Sequence, residues 1–241
     1  MRLSCVFLLL AVLLGGCATQ QQVEVLQPDE FRTMAIRLRT EMVRRTLLDE
    51  EGAYEPGLSM REPGEYRPDS FGEELFHRLS TRFRTPDNGT GTMPETFAQS
   101  LGPNDTVETS RYGFVLGQGM DIIILRMIAI ADWNNDGIRD WLMVCRVNPI
   151  LGSGPRDYYL VVERIPETGV LTPRTIAVYD CVDDTCTLFT GEARKEALGF
   201  DPEHPVIESA PGQQIIAPRN APAPKSIGVK ERHVKEESLT Q

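Results

Sequence analysis

Between Ala131 and Leu142 the chain reads ADWNNDGIRDWL, and both flanks are apolar: DIIILRMIAI over Asp121–Ile130 and WLMVCRV over Trp141–Val147. The flanks are rich in β-branched and apolar residues and are short, which predicts strands rather than helices. Two such strands joined by a short polar loop form an antiparallel hairpin, so this stretch constrains the fold before any other. Counted from Asp132, the loop places side-chain oxygens at positions 1, 3, 5 and 9 and a glycine at position 6 (Asp132, Asn134, Asp136, Asp140, Gly137). A hard cation takes about 6–8 oxygens at roughly 2.3–2.6 Å, and a short loop can wrap one if alternate residues point inward and a glycine makes the sharp turn. The spacing therefore points to calcium. Asn135-Asp136-Gly137 alone would also serve as an ordinary polar hairpin turn.

A helix-flanked EF-hand closes with a bidentate Glu at loop position 12, and that position here is Met143. The arrangement of an apolar strand, D-x-N-x-D-G-x-x-D and a second apolar strand instead resembles the calcium loops of FG-GAP and VCBS repeats over about fourteen residues, Ala131–Val144. The resemblance implies Asp132, Asn134, Asp136 and Asp140 as side-chain ligands and Ile138 as a backbone-carbonyl ligand of calcium. Those families repeat the unit around a propeller. No second copy occurs in this sequence, so propeller architecture is not expected.

Arg2, the apolar run Val6–Leu14 and then Gly15-Gly16-Cys17 form a signal segment too short to span a bilayer, which needs about 20 apolar residues. Leu14-Gly15-Gly16-Cys17 resembles a bacterial lipobox. The resemblance implies removal of residues 1–16, lipidation of Cys17 and, with Ala18 following, sorting to the outer membrane. Several acyl chains, at about 0.8 kcal/mol per buried methylene, would hold the protein on the membrane surface. Outside the cytosol even a weak site, with a dissociation constant of roughly 0.1–1 mM, stays filled with calcium.

The whole chain has 25 basic and 35 acidic residues, and loss of Arg2 with the leader leaves 24 against 35, a net charge of −11. That balance argues against nucleic acid as a partner. The 225 residues left suffice for one domain with a core. Besides Cys17, the mature chain keeps Cys145, Cys181 and Cys186. In an oxidising compartment Cys181 and Cys186 are expected to close a disulfide across a hairpin turn, and Cys145, alternating with Trp141, Met143 and Val147, to be a buried free thiol.

The expected organisation is a lipidated tether over residues 17–28, an α+β domain over 29–200 and a disordered tail over 201–241. Asp29–Leu48 has the periodicity of an amphipathic helix, with Phe31, Met34, Leu38 and Met42 on one stripe. Arg37 and Arg44 fall on its solvated side, with lipid headgroups as the alternative contact. A Gly- and Pro-rich connection, Glu51–Asp69, precedes a second helix opened by the capping box Ser70 and Glu73, with Phe71, Leu75, Phe76, Leu79 and Phe83 on one face and His77 opposite. A helical turn is expected at Pro94–Leu101. Strands follow at about 111–116, 122–130, 141–147, 158–165, 175–180 and 187–190. Helices followed by consecutive strands predict an α+β fold, N-terminal helices on an antiparallel meander of five to six strands.

No motif of catalysis stands out. The three histidines are His77, His204 and His233; Gly152-Ser153-Gly154 lacks the outer glycine of a nucleophile elbow; Gly117-Gln118-Gly119 has no third glycine. Carboxylates such as Asp157, Glu163 or Asp183 could pair only through the fold. The expectation is a calcium-stabilised binding or structural domain in the cell envelope, meeting an envelope protein or a polysaccharide. The alternatives are a periplasmic hydrolase of envelope polymers and a calcium-dependent adhesin.

Overall fold

The computed structural model describes residues 20–57, 65–84, 96–151, 154–183 and 185–199. Cys17 and the expected tail over 201–241 lie outside them. Among the described residues the fold is α+β, with four α-helices and a nine-stranded, mostly antiparallel sheet. The strands are β1 (Gln22–Val25), β2 (Glu55–Pro56), β3 (Thr106–Ser110), β4 (Gly113–Gln118), β5 (Asp121–Ala131), β6 (Asp140–Pro149), β7 (Arg156–Val162), β8 (Arg174–Val182) and β9 (Thr185–Thr190). The helices are α1 (Pro28–Arg37), α2 (Arg39–Arg44), α3 (Phe71–Arg78) and α4 (Ala193–Leu198).

Strands β3 to β9 form a continuous antiparallel meander, which contains all six strands expected from the pattern. The expected count of five to six is too low, because β1, β2 and β3 carry no apolar alternation long enough to show. Strand β3 reads TVETS and is largely exposed; β2 has two residues. Strand β1 falls within the expected tether, yet Val23 is buried and Glu24 and Val25 pair with Ile130 and Ala129 of β5. One edge of β5 is thus shared: its first half pairs with β4 and its end with β1.

Both faces of the sheet are apolar. On β6, Trp141, Met143 and Cys145 join a cluster with Phe71, Leu75 and Phe76 of α3 and with Phe97, while Leu142 and Val144 join another with Phe31, Met34, Leu38 and Met42. A strand covered on both faces needs apolar residues at every position, which is why Trp141–Val147 reads as an unbroken run. The pairing of β5 with β6 shifts register between Met127 and Ala129, and Ile128 and Ala129 then fall in the same cluster. This bulge reverses the facing of β5 just before the loop. It decides which side of the sheet the loop residues meet.

The expected helix over 29–48 is two helices, α1 and α2, meeting at Leu38, and it stops short. Thr46 takes a left-handed φ of 59°, and the amides of Leu47 and Leu48 turn back to the Met42 carbonyl. Buried Leu47 and Leu48 therefore sit in a turn after the helix. Arg37 is not on the solvated side. Its guanidinium donates to Asp157 Oδ2 at 2.6 Å and to the Tyr159 hydroxyl at 2.8 Å, and lies over the Tyr179 ring at 3.6 Å. Ser70 caps α3 as expected, its Oγ accepting from the Glu73 amide at 3.3 Å. Glu73 does not complete the box, because its carboxylate takes the Thr109 hydroxyl instead. Phe71, Leu75, Phe76, Leu79 and Phe83 are all buried, although Phe83 belongs to a separate 3-10 turn, Arg82–Arg84.

Candidate metal centre

The loop between β5 and β6 is organised by its own oxygen side chains. Asn135 and Gly137 both adopt left-handed backbone, at φ 62° and 83°. Glycine takes that conformation freely and asparagine tolerates it, so N-D-G here is turn chemistry made real. Asp132 accepts the Asp136 amide at Oδ1 (3.1 Å) and the Gly137 amide at Oδ2 (2.7 Å). Asn134 Oδ1 accepts the Asp136 amide at 3.0 Å, and Asp136 Oδ1 accepts the Ile138 amide at 2.8 Å. Asp132, Asn134 and Asp136 are therefore brought together on one turn. Each of these oxygens has a second lone pair beyond the bond it accepts. Ile138 lies at the tip and is 51% exposed.

Asp140 differs from the rest. It is fully buried, its Oδ2 accepts the Trp133 amide at 2.8 Å, and its Oδ1 has no hydrogen-bond partner. A buried carboxylate oxygen without a donor or cation is costly. Burial pushes the Asp140 carboxyl up to about 7, with Glu163, Asp136 and Asp132 adding to the rise and the Trp133 amide opposing it. Among the described residues no group of three or more His, Cys, Asp or Glu side chains is assembled closely enough to hold a metal ion. The loop carboxylates are turned onto the loop's own amides, and the five expected ligands include an amide and a main-chain carbonyl.

Two neighbours, Gln21 and Arg45, and one loop residue, Arg139, clamp the loop, and the sequence pattern singled out none of them. Gln21 donates to Asn135 Oδ1. Arg45 donates to the Trp133 carbonyl at 2.7 Å with its guanidinium over the Trp133 ring at 4.5 Å. Arg139, inside the loop, donates to Glu24 Oε2 at 2.6 Å and to Glu65 Oε2 at 3.3 Å, while Arg67 holds both oxygens of Glu24. Burial alone would raise the Glu24 carboxyl, yet the hydrogen bonds and charges of Arg67 and Arg139 prevail and hold it below the usual carboxylate range. Glu24 and Arg139 are 115 residues apart. No local pattern could have joined them.

Elsewhere, Cys181 and Cys186 are cross-strand partners in the β8–β9 hairpin with Cα atoms 4.0 Å apart and sulfurs at bonding distance. Cys145 is a buried free thiol whose pKa burial pushes up to about 12, so it is not poised as a nucleophile. Two of the three carboxylates named as candidates for pairing are committed to arginines: Asp157 between Arg37 and Arg146, Glu163 with Arg174. Asp183 sits at the β8–β9 turn. No protein-family model, no curated protein and no solved structure matches this chain.

The raised Asp140 carboxyl has a measurable consequence. From an ordinary value of 3.8 to about 7, folded Asp140 keeps a proton that the unfolded chain has released. The group therefore favours folding below about pH 4 and loses that contribution as pH rises towards 7. In EGTA, the melting temperature should fall between about pH 5 and pH 8 more steeply than in an Asp140→Asn variant. An ion held at this loop would need the ionised carboxylate, so any stabilisation by calcium should be larger at about pH 8 than at about pH 5.

Proposed function

We propose that this chain is an outer-membrane-anchored lipoprotein whose domain binds one calcium ion at Asp132, Asn134, Asp136, Ile138 and Asp140. The ion is structural. It would neutralise carboxylates crowded on one turn, give the buried Asp140 Oδ1 a cationic partner and fix the register of β5 and β6. N-terminal helices packed on the antiparallel meander form the frame that holds the loop. The domain so fixed presents its surface to another envelope component, a protein or a polysaccharide, and Cys17 carries the acyl chains. The observation that carries the calcium reading is Asp140: fully buried, at the last ligand position of the loop, with one oxygen left without a partner.

Two measurements test it together. Terbium, which substitutes for calcium, should give luminescence sensitised by Trp133 at one site per chain, displaced by calcium and abolished in Asp136→Ala. Mass spectrometry of the membrane fraction should find the mature chain starting at an acylated Cys17, and Cys17→Ser should release or mislocalise it. A stoichiometry of zero would remove the ion from the reading, and a soluble mature form with no acyl mass would remove the anchor.

A further inference from the structure

Strand β9 ends the sheet on one side, and among the described residues only β8 pairs with it. It reads TCTLFT, β-branched, aromatic and apolar, with no charge and no proline over its 6 residues. Exposed sheet edges are usually guarded by charges, prolines or brevity, because their free main-chain groups invite another strand. The other described edges of this sheet are guarded in that way. Strand β2 has two residues and includes Pro56. Strand β3 carries exposed Glu108 and ends beneath α3, where the Ser110 carbonyl accepts the Ser70 hydroxyl at 3.2 Å. In a chain of net charge −10, β9 is an uncharged and unguarded edge.

The hairpin fixes which main-chain groups face outward. In an antiparallel pair, opposed residues alternate between those that exchange hydrogen bonds, with Cα atoms about 5.5 Å apart, and those that do not, at about 4.5 Å. Cys181 and Cys186 are opposed with Cα atoms 4.0 Å apart, so theirs is a non-bonded pair. By alternation Tyr179–Leu188 and Ala177–Thr190 are non-bonded pairs too. The amides and carbonyls of Cys186, Leu188 and Thr190 therefore point away from β8, and no main-chain group outside the hairpin bonds to them among the described residues. Helix α4 leaves this edge open: Ala197 and Leu198 join the cluster on one face of the sheet, where Phe189 also packs. Gly191, at a left-handed φ of 53°, then turns the chain out of the line of the strand.

Outward groups at alternate residues of one strand are self-complementary. With two copies of β9 antiparallel and Leu188 opposite the partner's Leu188, Cys186 meets the partner's Thr190 and Thr190 meets the partner's Cys186. Every outward group of both strands then has a hydrogen-bond partner. Leu188 lies beside its counterpart on one face and Phe189 beside the partner's Thr187 on the other, with no charges opposed. Since the other described edges are guarded, the pairing closes on itself as a two-fold dimer and does not extend into a fibre.

We propose that β9 is a docking edge for a second copy of this chain, joined through an antiparallel β9–β9 pair into a dimer with one sheet running through both copies. The Cys181–Cys186 bond ties this edge strand to its neighbour and keeps it extended for pairing. The proposal depends on neither the ion nor the anchor.

The test uses the full chain carrying Cys17→Ser, so that no acyl chain drives association. Analytical ultracentrifugation should show a monomer–dimer equilibrium, half-dissociated at roughly 10–100 μM as suits a small interface. Amide hydrogen exchange, read residue by residue, should slow about fivefold at Cys186, Leu188 and Thr190 between about 5 μM and 1 mM. Thr187 and Phe189, whose amides face β8, should exchange slowly throughout. Thr190→Pro removes an outward amide that β8 does not use, and Thr187→Lys sets a charge at the joint; each should weaken dimerisation at least about tenfold while the melting temperature stays within a few degrees of the parent. Both variants keep the apolar run Val6–Leu14, so association through it would persist in them. A chain monomeric at 1 mM, a dimer whose outward amides exchange equally fast at every concentration, or a dimer that survives both substitutions overturns the proposal. So does a monomer in which those amides are slow at every concentration, since another part of the same chain would then cover the edge.

Discussion

Gly72→Ala is expected to destabilise the domain by at least about 3 kcal/mol, although alanine is the better helix former by about 1 kcal/mol. Helix α3 starts on top of the β3–β4 turn: the Phe71 amide donates to the Arg111 carbonyl at 2.9 Å, and Ser70 Oγ donates to the Ser110 carbonyl at 3.2 Å. A Cβ on Gly72 would lie 2.1 Å from the Ser110 carbonyl oxygen and 2.2 Å from that of Gly113. Both obstacles are backbone, so no rotamer change relieves them. Gly113 is itself pinned, since a Cβ there would meet the Leu125 carbonyl oxygen at 2.0 Å. The helix would have to lift off the hairpin, opening the cluster around Phe71 and Trp141. At 2–4 °C per kcal/mol for a domain of this size, the melting temperature should drop by roughly 10 °C. Gly102→Ala, where the nearest contact is a side-chain oxygen at 3.4 Å, is the control and should change little.

Asp157→Ala should cost about 3 kcal/mol or more. Asp157 is almost wholly buried and takes Arg37 from α1 at 2.6 Å and both Arg146 Nε and Nη2 from β6, at 2.6 and 2.8 Å. Removing it leaves two guanidiniums facing each other with no anion between them, and it frees the end of α1 from the sheet. Breaking one side of a buried pair is far more harmful than losing a surface pair. Urea unfolding would show a lower midpoint with an unchanged slope. Arg32→Ala, which removes an exposed pair with Asp29 at 3.9 Å, should stay within about 0.5 kcal/mol of the parent.

Much of the sheet was legible because each of the six strands β4 to β9 is apolar enough to stand out, and the Ser70 cap and the Phe71–Leu79 stripe gave α3. What escaped has physical reasons. Strand β1 is four residues long and draws its place from β5. Strand β3 is polar and exposed, so no alternation marks it. A bulge puts neighbours Ile128 and Ala129 on one face, which a period of two cannot express. Thr46 ends α2 early by a left-handed turn, in a residue type that does not signal one. The loop's oxygen spacing and its N-D-G turn were visible in the chain. The burial of Asp140 and the clamps from Gln21, Arg45 and the Glu24–Arg139–Arg67 network depend on contacts across the sequence, and only the fold supplies them.

Thermal unfolding in calcium and in EGTA bears most directly on the central claim that the Asp132–Asp140 loop holds a structural ion. An ion that binds only the folded chain stabilises it by RT ln(1 + [L]/Kd), about 2.7 kcal/mol at a hundredfold excess over Kd. For a domain of this size that is roughly 5–10 °C, and the shift should vanish in Asp136→Ala. A melting temperature that does not move in several millimolar calcium, with the parent and Asp136→Ala behaving alike, would contradict it.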